Sequence, residues 1–185
     1  IAQFTETITA KITAVATATA DDLLPNFNGA INYITAEVPA IVAANTMAQV
    51  DGVYQISAAP QLANFATIVN GGATDAKAVL TTDIDLAQAI TNDAWTSIGN
   101  NDKPFKGTFD GQGHTIKNIT YTATGQYNGL FGKLTTGAVV KNFTAEGTMT
   151  VSASVTGRAV ALIGVAGDGG VLIQNINSKM NYNNQ

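Results

Sequence analysis

His114 is the only histidine of the chain, and it ends the segment Asp110-Gly-Gln-Gly-His114. A histidine can act as a general acid or base or bind a metal ion. Both roles need further side chains in a fixed arrangement, as in a catalytic triad or a metal site. One aspartate in a glycine-rich turn does not supply them. We therefore predict a structural hydrogen bond for His114 and no catalytic residue.

Asp83 and Asp85 alternate along a predicted strand, so both carboxylates project from one face of it. Together with Asp110 they are the candidates for a calcium site, because calcium binds oxygen ligands. A polysaccharide lyase or hydrolase would add basic residues to such a site. Arg158 is the only arginine, however, and no known calcium-loop motif is present. We therefore predict that the protein binds no metal ion or other cofactor, with a calcium ion as the alternative.

Aromatic side chains offer a second kind of binding site, because an exposed ring can stack on a sugar. The candidates for such a platform are Trp95, Phe105, Tyr121 and Tyr127. The same residues suit a protein core, so a carbohydrate-binding module stays an alternative. Two glycosylation sequons, Asn118-Ile-Thr120 and Asn142-Phe-Thr144, involve asparagines for which a structural role is the preferred interpretation.

The composition favours an exported protein without nucleic-acid partners. Only 12% of the 185 residues are charged, the net charge is −4, and no cluster of lysine and arginine could neutralise a run of phosphates. The chain lacks cysteine and has no apolar run of the roughly 20 residues that a transmembrane helix needs. Its start at Ile1 rather than Met is expected of a processed or excised form. These features predict an extracellular or cell-surface location.

The first twenty residues alternate between apolar and polar side chains, which predicts one long strand over residues 1–20. No segment directly after it can form a hairpin with it, so we expect it to pair with a distant edge or to be donated to a neighbouring copy. The face expected to make that contact carries Ile8, Ala10, Ile12 and Ala14.

Helical periodicity follows. Apolar residues recur at intervals of three or four over residues 21–50, which predicts one or two short helical segments. A further helix is predicted with Ser57 as its N-cap, Pro60 in the first turn and Gly71 at its end. This helix is expected to cap the N-terminal edge of the domain to which it belongs, residues 51–185.

From Lys77 onward short apolar segments alternate with glycine, and two sequence units repeat. The first unit places an asparagine between apolar residues, at Asn118, Asn142 and Asn175; the second contains Gly129 and Gly132 and returns in degenerate form near Gly164. The asparagines are 24 and 33 residues apart, which suits one turn of a solenoid of short strands. We predict a mainly β fold, a right-handed parallel β-helix with an N-terminal capping helix and a strand and helix extension. The asparagines should form a hydrogen-bonded ladder, and the glycines should supply tight corners.

The order of six motifs between Gly52 and Asn177 resembles the entry module of bacterial and archaeal GLUG-repeat surface proteins. The motifs are Tyr54-Gln-Ile56-Ser57 to Leu62-Ala-Asn-Phe65, Val69-Asn-Gly71-Gly72, Leu80-Thr-Thr-Asp83-Ile84-Asp85-Leu86, Trp95-Thr-Ser-Ile98-Gly99, Pro104-Phe105-Lys-Gly107-Thr-Phe109-Asp110-Gly111-Gln-Gly113-His114-Thr-Ile116 and Gly129-Leu-Phe-Gly132. The resemblance implies a right-handed β-helix on an exported, adhesin-like protein. GLUG-like repeats are accordingly expected within residues 51–185.

The leading functional hypothesis is a non-catalytic extracellular structural or adhesive surface protein. Its expected partners are copies of itself or other surface proteins, with glycans as a further class. A variant of this hypothesis is a self-assembling filament subunit that uses the N-terminal strand for subunit contact. The alternatives are a carbohydrate-binding module and a polysaccharide lyase or hydrolase on the same scaffold.

Overall fold

The structure is a computed structural model that describes residues 2–17, 19, 25–32, 35, 46–90, 94–123, 127–152, 161–167 and 169–184. The chain divides into two units, Ile1–Thr46 and Met47–Gln185.

The first unit begins with a helix, α1, over Ala2–Thr17, so the strand predicted for residues 1–20 is wrong. Ile8 and Ile12 satisfy both readings of the sequence, because positions four apart share a face of a strand and a face of a helix. Alanine, which recurs in the same segment, is the best helix former and adds little to a strand. The prediction that this segment is donated as a strand to a neighbouring copy is therefore also wrong, because its backbone hydrogen bonds form within the helix. Ile8, Ala10, Ile12 and Ala14 lie on α1, and Ile12 is 61% exposed.

Residues 25–32 form a second helix, α2, within the range in which short helical segments are predicted. The last residues of the predicted helical range are not helical, because Ala48–Val50 form strand β1 of the second unit. It pairs antiparallel with β2, Val53–Ile56, across a tight turn at Asp51 and Gly52, where φ is 50° and 75°. An Asp-Gly pair between two apolar segments is a strong hairpin signal.

The second unit is mainly β, as predicted, and every strand pairing in its described residues other than β1 with β2 is parallel. The strands after β2 are β3 (Lys77–Leu80), β4 (Ile84–Asp85), β5 (Thr108–Asp110), β6 (Thr115–Ala123), β7 (Phe131–Leu134), β8 (Val139–Val151), β9 (Ile163–Ala166) and β10 (Leu172–Asn184). A short 3₁₀ helix, Leu86–Gln88, follows β4.

The parallel pairings form three series. The first joins β2, β3, β5, β8 and β10 through the registers Val53 to Lys77, Lys77 to Thr108, Thr108 to Val139 and Val139 to Leu172. The second joins β4, β6, the later part of β8 and the later part of β10. The third joins β7 to β9, and isolated bridges add Ile98 and Phe105 to it. Within each series, consecutive strands therefore lie a few tens of residues apart along the chain.

Helix α3, Ala59–Asn70, lies between β2 and β3 and buries Leu62, Phe65 and Val69. Its N-cap is Ala58 rather than the predicted Ser57. Ser57 contributes differently: its N–H and its hydroxyl both donate to Oε1 of Gln61, over 2.7 and 3.2 Å. At the other end the N–H of Gly71 donates to the carbonyl of Thr67, which closes the helix.

Phenylalanine rings form the centre of the core, and all are at most 2% exposed: Phe65, Phe105, Phe109, Phe131 and Phe143. The ring centroid of Phe109 lies 5.2 Å from that of Phe131 and 5.8 Å from that of Phe143, both edge to face. Phe65 of α3 reaches the same group, 6.1 Å from Phe105. Helix and strands therefore share one core, and such aromatic contacts add to the stabilisation by burial.

Candidate functional site

The carboxylates proposed for calcium bind side chains of the next parallel strand instead. Asp85 accepts a hydrogen bond from Nδ2 of Asn118 over 2.8 Å and lies 3.5 Å from Nζ of Lys117. Asp110 makes the same pair of contacts with Asn142, over 3.0 Å, and with Lys141, over 3.2 Å. In both cases an aspartate precedes a Lys-Asn pair by 31 to 33 residues. The term Asp/Lys-Asn pair denotes each of these two contacts, in which one aspartate binds the lysine and the asparagine of a Lys-Asn dipeptide.

Asp83 is occupied in a related way. Its Oδ1 accepts from the backbone N–H of Thr115 over 2.9 Å and lies 3.2 Å from Nδ1 of His114. His114 thus makes the kind of hydrogen bond that was predicted for it. In the part of the chain that the structure describes, no three acidic or histidine side chains converge as metal ligands. Asp83, Asp85 and Asp110 do not come together as one calcium site.

These contacts lower the pKa of all three carboxyls. For Asp83 the main cause is the N–H of Thr115, followed by His114, and for Asp85 it is the amide of Asn118. For Asp110 partial burial acts to raise the pKa, but the N–H of Gln112, Asn142 and Lys141 together lower it by more. Each aspartate is therefore held in its ionised form, as a hydrogen-bond acceptor.

The three repeated asparagines all have left-handed backbone, with φ of 57° at Asn118, 60° at Asn142 and 52° at Asn175. Asparagine tolerates this conformation better than most residues. Two of them meet, since Nδ2 of Asn175 donates to Oδ1 of Asn142 over 3.1 Å. Asn118 lies elsewhere, on β6 beside Asp85. The expected ladder of three asparagines is therefore wrong, and the observed series is Asp110, Asn142 and Asn175.

The predicted glycines lie where neighbouring backbones approach closely. A Cβ at Gly132 would collide with the carbonyl oxygen of Gly99, and one at Gly129 would collide with that of Ala161. At Gly164 it would lie 2.6 Å from the carbonyl oxygen of Gly132. Gly132 lies within β7 rather than at a corner. Its function is close packing of adjacent strands and not turn formation.

The predicted aromatic platform is largely part of the core. Phe105 and Tyr121 are at most 2% exposed, and Trp95 is 7% exposed with its Nε1 donating to the carbonyl of Leu130 over 3.3 Å. Only Tyr127 is partly exposed. A platform of four rings is therefore wrong, because three of the rings are buried by the core that they help to form.

Trp95 and Tyr127 are among the residues that line an open depression of about 610 Å³, which we call the asparagine depression. The other lining residues are mostly neutral and polar: Asn70, Thr96, Ser97, Gly99, Asn100, Asn101, Asp102 and Asn128. These asparagines are not among the site residues predicted from the sequence, because they come from three separate segments and show no repeat. A clue was present in the adjacent residues Asn100 and Asn101.

A second depression of about 630 Å³ lies beside the series of Asp110, Asn142 and Asn175, and Asn177 also lines it. The side chains of the first three are already joined by hydrogen bonds to one another. The hydrogen-bonding groups of these three residues therefore join neighbouring strands, and we assign them a structural role.

Comparisons with known proteins give one partial similarity. The chain is 40% identical over 88 residues to halomucin of Haloquadratum walsbyi, which covers 42% of this chain and 1% of halomucin. The chain thus spans a very small part of the length of this relative. No protein-family model matches the chain, and no solved structure matches it. Among the described residues, no helix combines the length and apolar character needed to cross a bilayer.

Proposed function

We propose that this chain is a non-catalytic, extracellular structural and adhesive protein, in which residues 51–185 form a right-handed parallel β-helix of the GLUG-repeat type. The observation that carries the proposal is the regular advance of the parallel pairings. In the first series, residue 53 pairs with 77, 77 with 108, 108 with 139 and 139 with 172. Successive returns to one strand series in the same direction are what a chain wound into a solenoid makes, and they support the proposal.

The three series of pairings supply the three strand positions that each turn of such a helix would need. The right-handed sense is proposed because parallel crossovers are right-handed in about 98% of cases. The capping function of α3 belongs to the same proposal. It is supported by the burial of Phe65 against Phe105 and Phe109 near the first strands of the series.

The non-catalytic assignment rests on what the ionisable side chains contact. Asp83, Asp85 and Asp110 are each held by groups of an adjacent strand, as is Glu146, whose Oε1 lies 2.7 Å from Nζ of Lys179. These pairs run along the outside of the strands rather than around one groove. A lyase or hydrolase would need acidic and basic groups converging on a substrate.

The extracellular location is supported by the low charge content and by the similarity to halomucin, a protein whose name describes it as a mucin. Copies of this chain and other surface proteins remain the proposed partners. The N-terminal segment is not proposed as a donated strand, because it is helical.

The location can be tested with antibodies raised against residues 47–185, applied to intact cells that produce the chain. We expect labelling of unbroken cells and its loss after brief protease treatment. Labelling that requires permeabilised cells would contradict the proposal. A fluorescent fusion cannot replace the antibody, since the fusion partner itself affects export.

The absence of catalysis is tested separately. The purified chain is incubated with neutral and acidic polysaccharides, with and without calcium, while new reducing ends and unsaturated products are measured. We expect no turnover above that of heat-denatured protein. Turnover that disappears in Asp110→Asn or His114→Ala would show that the chain is an enzyme.

A further inference from the structure

We infer that the asparagine depression is a binding site for neutral sugar residues of a glycan. This goes beyond the structural function proposed above, which does not depend on it. The inference starts from the chemistry of the lining. Four asparagines, a threonine and a serine line the depression, and among the lining residues that the structure describes Asp102 is the only carboxylate. Sugar hydroxyls accept as well as donate hydrogen bonds, so they can accept from the Nδ2 group of an asparagine.

Asn100 and Asn101 are held in place through their amide oxygens, which leaves their Nδ2 groups for a sugar. Oδ1 of Asn100 accepts from the backbone N–H groups of Asp102 and Lys103, over 3.0 and 2.8 Å. Oδ1 of Asn101 accepts from Nζ of Lys133 over 3.1 Å. Each amide is thus oriented through its oxygen, and its Nδ2 stays a donor at the exposed rim. Fixed donors bind with less loss of side-chain entropy than mobile ones.

The wall of the depression is also fixed. Nδ2 of Asn70 donates to the carbonyl of Ser97 over 3.0 Å, and its Oδ1 accepts from the N–H of Gly99 over 3.1 Å. The hydroxyl of Ser97 in turn donates to the carbonyl of Gly129 over 2.8 Å. Helix α3, the segment before β5 and the segment before β7 are therefore joined around the depression, which is formed before any ligand binds.

Tyr127 supplies the apolar surface that the ring carbons of a sugar need. Nζ of Lys133 lies 5.8 Å from its ring centroid, so one ring face meets a cation. The backbone of Tyr127 is left-handed, with φ of 57°, which is unusual for an aromatic residue. Strain of this kind is kept where the surroundings fix a side chain in one place.

The charge pattern selects a neutral ligand. An acidic polysaccharide would favour several cations, and none is among the described lining residues. Lys133, which contacts Asn101 and Tyr127, is already engaged with them. A metal ion would need more carboxylates than Asp102, the one found among the described lining residues, provides. A neutral hexose or N-acetylhexosamine residue requires neither.

The chain carries its own reporter, because Trp95 is its only tryptophan and lines the depression. The full chain is titrated with methyl glycosides of glucose, galactose, mannose and N-acetylglucosamine and with their short oligosaccharides. Tryptophan fluorescence and saturation-transfer NMR of the sugar are recorded. We expect saturable binding of at least one neutral sugar. Oligogalacturonate serves as the acidic comparison.

The matched variants are Asn100→Asp and Asn101→Asp. A carboxylate keeps the acceptor that holds each side chain and removes the Nδ2 donors, so both variants should fold and weaken binding at least about tenfold. The control is Asn177→Asp at the second depression, which makes the same change in charge and should leave binding unaltered. Circular dichroism verifies the fold of each variant.

Three results would overturn the inference: no response to any neutral sugar, binding of the acidic oligosaccharide alone, or equal affinity in the parent and the two depression variants. None of them would contradict the structural function, which the cell-labelling experiment tests independently.

Discussion

Asn142 and Asn175 lie in register on neighbouring parallel strands, both with left-handed backbone, and the amide of Asn175 donates to Oδ1 of Asn142 over 3.1 Å. Asn142 in turn donates to Asp110 over 3.0 Å. One residue type thus satisfies two demands at once, since it tolerates the bend and joins the strands on either side. The two contributions can be separated by substitution.

Asn142→Gly keeps a residue that adopts φ of 60° without strain and removes the side-chain hydrogen bonds. Asn142→Ala removes the bonds and adds about 1–2 kcal/mol of backbone strain. We expect both variants to be destabilised, with alanine the worse by about that amount, in urea denaturation followed by Trp95 fluorescence. Asn177→Ala is the control, because Asn177 is exposed and lies in β10. Equal losses for glycine and alanine would contradict the backbone argument.

Acid should weaken the fold through the lowered carboxyl pKa values. A group with a lowered folded-state pKa contributes stability in full above its unfolded pKa, here about 3.9, and loses it as the pH falls through the folded-state value. The pKa values of Asp83, Asp85 and Asp110 are all lowered. We expect the urea midpoint to decrease below about pH 4 and Asp110→Asn to flatten part of that decrease. Asp102→Asn provides the comparison, and an unchanged slope in Asp110→Asn would count against the assignment.

Gly132→Ala should be strongly destabilising, because the added methyl group meets the carbonyl oxygen of Gly99 on the adjacent segment. Overpacking of this kind costs about 1–3 kcal/mol. The control is Gly71→Ala, where φ is −74° and the nearest atom to the new Cβ lies at 3.2 Å. The measurement is the free energy of unfolding. A loss at position 132 no larger than that at position 71 would refute the close-packing argument.

Two tyrosines on the second series of strands differ in their hydroxyl contacts. The hydroxyl of Tyr182 accepts from the N–H of Leu162 over 3.0 Å, whereas that of Tyr121 is buried with no partner among the described residues. Burial accordingly raises the pKa of Tyr121, with a smaller contribution from Tyr182. We expect Tyr121→Phe to be neutral or stabilising and Tyr182→Phe to cost about 1 kcal/mol in thermal or urea unfolding. The opposite ranking would show that the Tyr121 hydroxyl has a partner.

The sequence predicts the mainly β character of the second unit, because glycine positions and short apolar segments are local signals. The interval of 24 residues between Asn118 and Asn142 is not one step of a strand series, because these two residues lie on different series. The sequence predicts the N-terminal segment wrongly, since Ile8 and Ile12 fit both periods and alanine content decides in favour of the helix. The turn at Asp51 and Gly52 was overlooked, although the Asp-Gly pair marks a hairpin.

The candidate sites were harder to predict, because they depend on register. Asn118 and Asn142 both follow a lysine and precede an apolar residue, yet Ile116 pairs with Ala145 while Val140 pairs with Ile173. Similar sequence units therefore lie on different series of strands. The spacing from aspartate to Lys-Asn, which occurs twice, would have been the better signal. The asparagine depression is assembled from distant segments, and no local pattern indicates it.

The Asp/Lys-Asn pairs also bear on how the chain folds as it is made. The side-chain contacts of Asp85 and Asp110 cannot form until the ribosome has added the lysine and the asparagine that lie 31 to 33 residues further along the chain. At elongation rates of about 5–20 residues per second, that delay is roughly 2–6 seconds. Each newly emerged strand then finds its partner already in place. A nascent chain can therefore fold from its N-terminal side onward, one strand at a time, and its carboxylates remain solvated only until the next Lys-Asn pair appears.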